Sequence, residues 1–239
     1  MLSASVAAGS VVTPSAAPAP GRLTIYAAAS LSDVFRSLDS GQRYSFAGSD
    51  TLEAQIRNGA PADVFASAAR SNAQRLYRQR LVRKPIAFAS NRLVLIVPRS
   101  NPAGLTSVYD LGRKRVKLVV AGAAVPVGAY TRAALRKLGL SSALSKVVSQ
   151  ETDVRAVTTK VALGQADAGF VYATDARAVA DRVRVIPVPV RAQPRIRYVV
   201  AVVSSSSRRA GAQAWIKTLL SARGQAALKE YGFLPLPAG

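Results

Sequence analysis

From Arg22 onward, apolar and polar positions fall into short blocks of two kinds. Residues 22–27 (RLTIYA), 43–47 (RYSFA) and 62–66 (ADVFA) are compact, β-branched or aromatic runs, and they predict strands. Between and after them, 30–38, 50–58 and 70–80 carry apolar residues at helical spacing. A second series begins near Asn91, with strands predicted at 92–97, 116–121, 145–149, 167–172, 183–188 and 197–203. Helices are predicted at 128–138, 154–163, 208–220 and 222–230. Alternation of this kind predicts an α/β fold with mainly parallel strands. The runs at 92–97 and 197–203 read as paired crossovers. The chain then divides as A–B–A, with residues 22–90 and 199–239 in lobe 1 and 91–198 in lobe 2.

Residues 1–21 (MLSASVAAGSVVTPSAAPAPG) lie outside this pattern. They are small and apolar, lack a basic start, and are broken by Pro14, Pro18 and Pro20. They read as the remnant of an export signal or as a disordered leader, and are too short and interrupted to span a bilayer. No later run is long and apolar enough for stable membrane insertion.

Composition narrows the chemistry. The 239 residues contain no Cys and no His, which excludes disulfides, thiolate chemistry, imidazole metal sites and Ser–His–Asp catalysis. The P-loop pattern and a GxGxxG turn after a strand are both absent, and no pair of carboxylates stands out. Nothing in the sequence signals an enzyme. The net charge of +21 fits anionic partners, either a polyanion or a small anion. Yet the basic residues are scattered, which fits a solvated surface, and aromatics are only 6%, which counts against nucleic acid.

Candidate chemistry sits where predicted strands hand over to predicted helices, because helix N-termini offer free N–H groups and a positive dipole end. Ala27–Asp33 supplies the Ser30 hydroxyl among small residues, although Ser30 with Asp33 also fits a capping box. Phe46–Leu52 supplies Ser49 after Gly48, and Asp50 with Glu53 again fits a cap. Val125–Tyr130 places Pro126 in a first helical turn and would present the Val127 amide. Glu151–Arg155 would present the Val154 amide, unless Thr152 or Asp153 only caps the helix. Tyr172 ends a strand with a phenol that can donate, or that simply packs.

Taken together, the stretches LTIYAAASLSDVF, FAGSDTLEAQIRNGAPADVFASA, VPVGAYTRAALRKLG, ETDVRAVTTKVALGQADAGFVYATDA and KEYGFLPL resemble the periplasmic molybdate-binding proteins of bacterial ABC transporters. The likeness runs from about Leu23 to Phe233. It implies the two-lobed class II periplasmic-binding-protein fold, with mixed, mainly parallel sheets and a two-stranded hinge. It implies molybdate or tungstate held in the cleft by Ser30 and Ser49 of one lobe and by Val127, Val154 and Tyr172 of the other. Molybdenum would be bound as the oxyanion, with no direct protein–metal bond and no cofactor. The implied setting is periplasmic, as a monomer that serves an ABC permease and its ATPase. Sulfate is the alternative ligand, and a basic polyanion-binding protein the more distant alternative. Two features depart from the family pattern: the segment between Phe35 and Ser45 is short, and Asp50 stands where a neutral Ser is common.

Overall fold

Runs that are apolar at every position need cover on both faces, and they become interior strands. Leu93–Pro98 and Ala168–Tyr172 are buried along their whole length. The computed structural model describes residues 21–113 and 115–236, so the expected leader falls outside the described residues except for Gly21.

The first elements are β1 (Thr24–Ala28), α1 (Ser32–Leu38), β2 (Arg43–Ala47), α2 (Ser49–Arg57), β3 (Val64–Ser67), α3 (Arg70–Arg78) and β4 (Ile86–Asn91). Then come β5 (Leu93–Pro98), α4 (Asp110–Arg113), β6 (Leu118–Ala121), α5 (Pro126–Lys137), β7 (Val147–Glu151), α6 (Val154–Ala162), β8 (Ala168–Tyr172), α7 (Ala173–Arg177) and β9 (Val183–Pro187). The chain closes with β10 (Ile196–Val202), α8 (Arg209–Leu220) and α9 (Ala222–Glu230).

Two five-stranded sheets result, ordered β2-β1-β3-β10-β4 and β7-β6-β8-β5-β9. Each is the centre of one lobe. In the first, β2, β1 and β3 are parallel and β10 is antiparallel to both its neighbours. In the second, β7, β6 and β8 are parallel and β5 is antiparallel to both of its own. Four strands of each sheet therefore point one way. The reversed strand is in each case the first that the chain lays down after crossing from the other lobe. The sheets are thus mixed, as expected, with two parallel and two antiparallel pairings in each.

The crossings are short because β4 and β10 stay paired up to the junction, where Ile196 lies opposite Asn91. The first sheet accordingly reaches to Asn91 and resumes at Ile196. Gln193 clips the two crossings together: its Oε1 accepts from the Leu93 amide at 3.0 Å and its Nε2 donates to the Leu93 carbonyl at 2.8 Å.

One face of the first sheet packs under α2 and α3 through Leu52, Ile56, Phe65, Leu76 and Val199. Its other face and the whole second lobe share one apolar cluster, continuous through Phe88, Leu93, Tyr172 and Tyr198 at the crossings. No helix of the described residues is long and apolar enough to cross a membrane.

Candidate functional site

In an open sheet of parallel strands, ligands collect beyond the strands' carboxyl ends. Here β1, β2 and β3 of one lobe and β6, β7 and β8 of the other end towards the same interlobe space. A small cavity lies there, lined by Ala28, Ala29, Ser30, Ala47, Gly48, Ser49, Ala68, Val125, Pro126, Val127, Asp153, Val154 and Tyr172. All five residues singled out in the sequence line it, two from the first lobe and three from the second. The cavity is small and suits one compact body.

Its walls are built from first turns. Ser30 lies in a 3-10 turn, Ala29–Leu31, that leads into α1. Ser49 opens α2, Val127 follows Pro126 in the first turn of α5, and Val154 opens α6. First-turn amides have no acceptor within their own helix, so those of Ser49, Val127 and Val154 are available to a group held in the cavity. Gly128 explains how α5 gets there. A Cβ on it would lie 2.0 Å from the Gly122 carbonyl oxygen, so only glycine lets the helix start this close to the end of β6.

Two of the three hydroxyls, those of Ser49 and Tyr172, are left able to donate into the cavity. The Ala68 amide donates to Ser49 Oγ at 3.1 Å, which occupies the oxygen and leaves the hydroxyl proton free. Ser30 Oγ and the Tyr198 hydroxyl share a hydrogen bond of 2.9 Å. Tyr172 is 1% exposed and its hydroxyl has no hydrogen-bond partner among the described residues. Burial, then the nearby Tyr198, Tyr130 and Asp175, pushes its phenol well above the ordinary tyrosine range, so it remains a neutral O–H donor.

No Lys or Arg lines the cavity, and its one carboxylate, Asp153, is engaged. Asp153 Oδ1 accepts from the Ala156 amide at 3.0 Å and caps α6. What remains is a set of neutral donors from two lobes around a small space, which suits a compact anion and offers little to a cation.

The lobes meet at this cavity. A Cβ on Gly48 would lie 2.5 Å from the Thr152 carbonyl oxygen of the other lobe. The Tyr130 hydroxyl reaches the Ala68 carbonyl across the gap at 3.4 Å.

The capping boxes that fit the sequence do not form. Asp33 pairs with Arg155 of the other lobe. Glu53 accepts from Asn72 Nδ2 and from both Nε and Nη2 of Arg75. Asp50 makes no cap at Gly48, and its Oδ1 is buried without a partner among the described residues. Three contributors carried no local signal: Ala68 at the end of β3, Tyr198 on β10, and the Arg155 pairings.

The family model for bacterial extracellular solute-binding proteins matches residues 23–234, nearly the whole described chain. The chain belongs to this family. Among relatives of this solute-binding protein, the molybdate-binding protein ModA of Mycobacterium tuberculosis (strain H37Rv) is 32% identical over 98% of this chain and 95% of its own. ModA of Escherichia coli (strain K12) is 31% identical over 89% of each. The periplasmic molybdate-binding protein of Azotobacter vinelandii superposes with a TM-score of 0.79 over 91% of this chain and 100% of its own. At 22% identity that likeness speaks for the fold. The two-lobed fold read from the two sheets is therefore shared over about nine-tenths of this chain.

Proposed function

We propose that this solute-binding protein captures molybdate, or its congener tungstate, in the interlobe cavity outside the cytoplasmic membrane. It would then deliver the anion, as a monomer, to an ABC permease driven by an ATPase. One observation carries the reading: a buried phenol without a partner faces a small cavity otherwise walled by first-turn amides and a donor serine. The names of the full-length relatives, molybdate-binding protein in both cases, support the choice of anion.

In this reading Ser30 and Ser49 donate from lobe 1, each through its hydroxyl and its amide. Val127 and Val154 donate through their amides, and Tyr172 through its phenol. A tetrahedral dianion has four oxygens, each able to accept more than one hydrogen bond, so it satisfies a cavity of donors. Hydrogen bonds to an ionised acceptor are also the strong kind. A monoprotonated phosphate brings a proton that an all-donor wall cannot accept. Sulfate is smaller and leaves the same fixed donors at longer reach.

Isothermal titration of anion-stripped protein with molybdate, then sulfate, tests this directly. The expected result is saturable one-to-one binding of molybdate, with sulfate about a hundredfold weaker. Absence of heat and of thermal shift with molybdate, tungstate and sulfate alike would overturn it.

A further inference from the structure

Two segments that wall the cavity also carry charges that meet outside it. Asp33 follows Ser30 by three residues, and Arg155 directly follows Val154. Any movement that brings Ser30 and Val154 onto one anion therefore brings Asp33 and Arg155 together. In the structure Arg155 Nη2 donates to Asp33 Oδ2, from α6 of one lobe to α1 of the other. The ion pairs Arg75–Glu53, Lys160–Glu151 and Arg208–Asp63 each stay within one lobe.

A second carboxylate holds the guanidinium from behind. Asp175, on α7 of the same lobe as Arg155, has a fully buried side chain whose polar neighbours are the Tyr172 backbone and Arg155. Its Oδ1 lies 3.4 Å from Arg155 Nε, an ion-pair distance without hydrogen-bond alignment. The Asp175 carboxylate is shut off from water and has Arg155 as its nearby cation, so in its ionised form it favours keeping the partly exposed guanidinium beside it. Asp33, by contrast, is 44% exposed and can be rehydrated when it lets go. The two halves of the bridge are therefore unequal. Arg155 stays with Asp175, and the link to Asp33 makes and breaks. An open space of about 520 Å³, bordered by Asp33, Arg155, Arg177 and Glu230, brings water to the breakable half.

We propose that Arg155 is a positioning residue for anion release. Anchored by Asp175, it latches the first turn of α6 to Asp33 across the cleft, and so sets how long the closed state lasts. The proposal rests on the molybdate reading for its kinetic test but not for its structural one.

In stopped-flow displacement of bound molybdate by excess tungstate, Asp33→Asn is expected to raise the release rate about two- to fivefold. The association rate and the thermal midpoint of the unliganded protein should hold. Asp33→Glu should restore slow release, and high salt should shrink the difference between wild type and Asp33→Asn. An unchanged release rate in Asp33→Asn, with wild type binding normally, overturns the latch and leaves the molybdate reading intact. The chain has no cysteine, so dyes placed at the exposed positions Gln79→Cys and Ser142→Cys report the interlobe distance without any ligand. Asp33→Asn should shift that unliganded distribution towards longer distances. If wild type binds no molybdate, this shift still decides the latch, and identical distributions overturn it.

Discussion

Replacing Tyr172 by Phe removes one oxygen from the cavity wall and nothing else. The ring keeps its edge-on contacts with Tyr130 and Tyr198, whose centroids lie 6.5 and 5.9 Å away. In the bound state the wild-type phenol donates to an anion, an interaction worth about 1.5–3 kcal/mol. Its loss should weaken molybdate binding about 10- to 150-fold. Among the described residues the same hydroxyl is buried without a partner. That arrangement costs roughly 1–3 kcal/mol, a cost relieved whenever the cleft opens and water reaches the group. The unliganded Tyr172→Phe variant should therefore melt no lower than wild type, and up to several degrees higher, at roughly 2–4 °C per kcal/mol for a chain of this size. Titration calorimetry reads the first effect and differential scanning fluorimetry of stripped protein reads the second. The two must move apart. Unchanged affinity would mean that the phenol does not face the anion. Affinity and unliganded stability falling together would make Tyr172 a packing residue, and the donor argument would fail.

Two glycines separate closure from folding. Gly48→Ala sets a Cβ against the Thr152 carbonyl of the other lobe, whereas Gly128→Ala sets one against carbonyls of Gly122 and Ala121 in its own lobe. The first variant should melt like wild type yet bind molybdate at least about tenfold more weakly. The second should lose several degrees of thermal midpoint whether or not anion is present. Asp175 predicts a pH effect. Burial raises its carboxyl from 3.8 to about 7, with Asp33 and Asp153 adding to the rise and Arg155 opposing it. The folded state therefore binds a proton that the unfolded state has released between about pH 4 and pH 7. Stability from this group is full below the lower value and is lost as pH climbs through the upper one. The span between the two values sets an upper bound of roughly 4 kcal/mol. Chemical denaturation should show wild type weakening from pH 4 to pH 8 more steeply than Asp175→Asn. Equal slopes would refute the assignment.

Much of the site was legible because its parts are local. Gly48 before Ser49, Pro126 before Val127 and the small run before Ser30 each mark a strand handing over to a helix, and one residue of context is enough to see it. The edge strand β4 was not legible. Only Arg92 separates it from β5, and the run reads as one strand with a ragged start. α7, at five residues, is too short for a helical period to show. Side-chain pairing was the least legible of all. Ser30 and Asp33 read locally as a cap, but their partners, Tyr198 and Arg155, lie 168 and 122 residues away. Glu53 likewise goes to Arg75 and Asn72. Partners brought by the fold displaced the local ones, and no period or motif records them.

The use of first-turn amides as wall groups has a consequence for how this site would look to genetics. At Val127 and Val154 the proposed donor belongs to the main chain, so a side-chain substitution there disturbs packing and leaves the N–H in place. A conventional alanine scan would pass over both positions as ordinary core residues. Proline is the informative replacement at 154. As the first residue of α6 it can take proline without loss of a helical bond, yet the substitution deletes that one N–H. Variation among natural sequences at these two positions would likewise say little about selection on the ligand, because the selected object is a backbone geometry that many side chains can share.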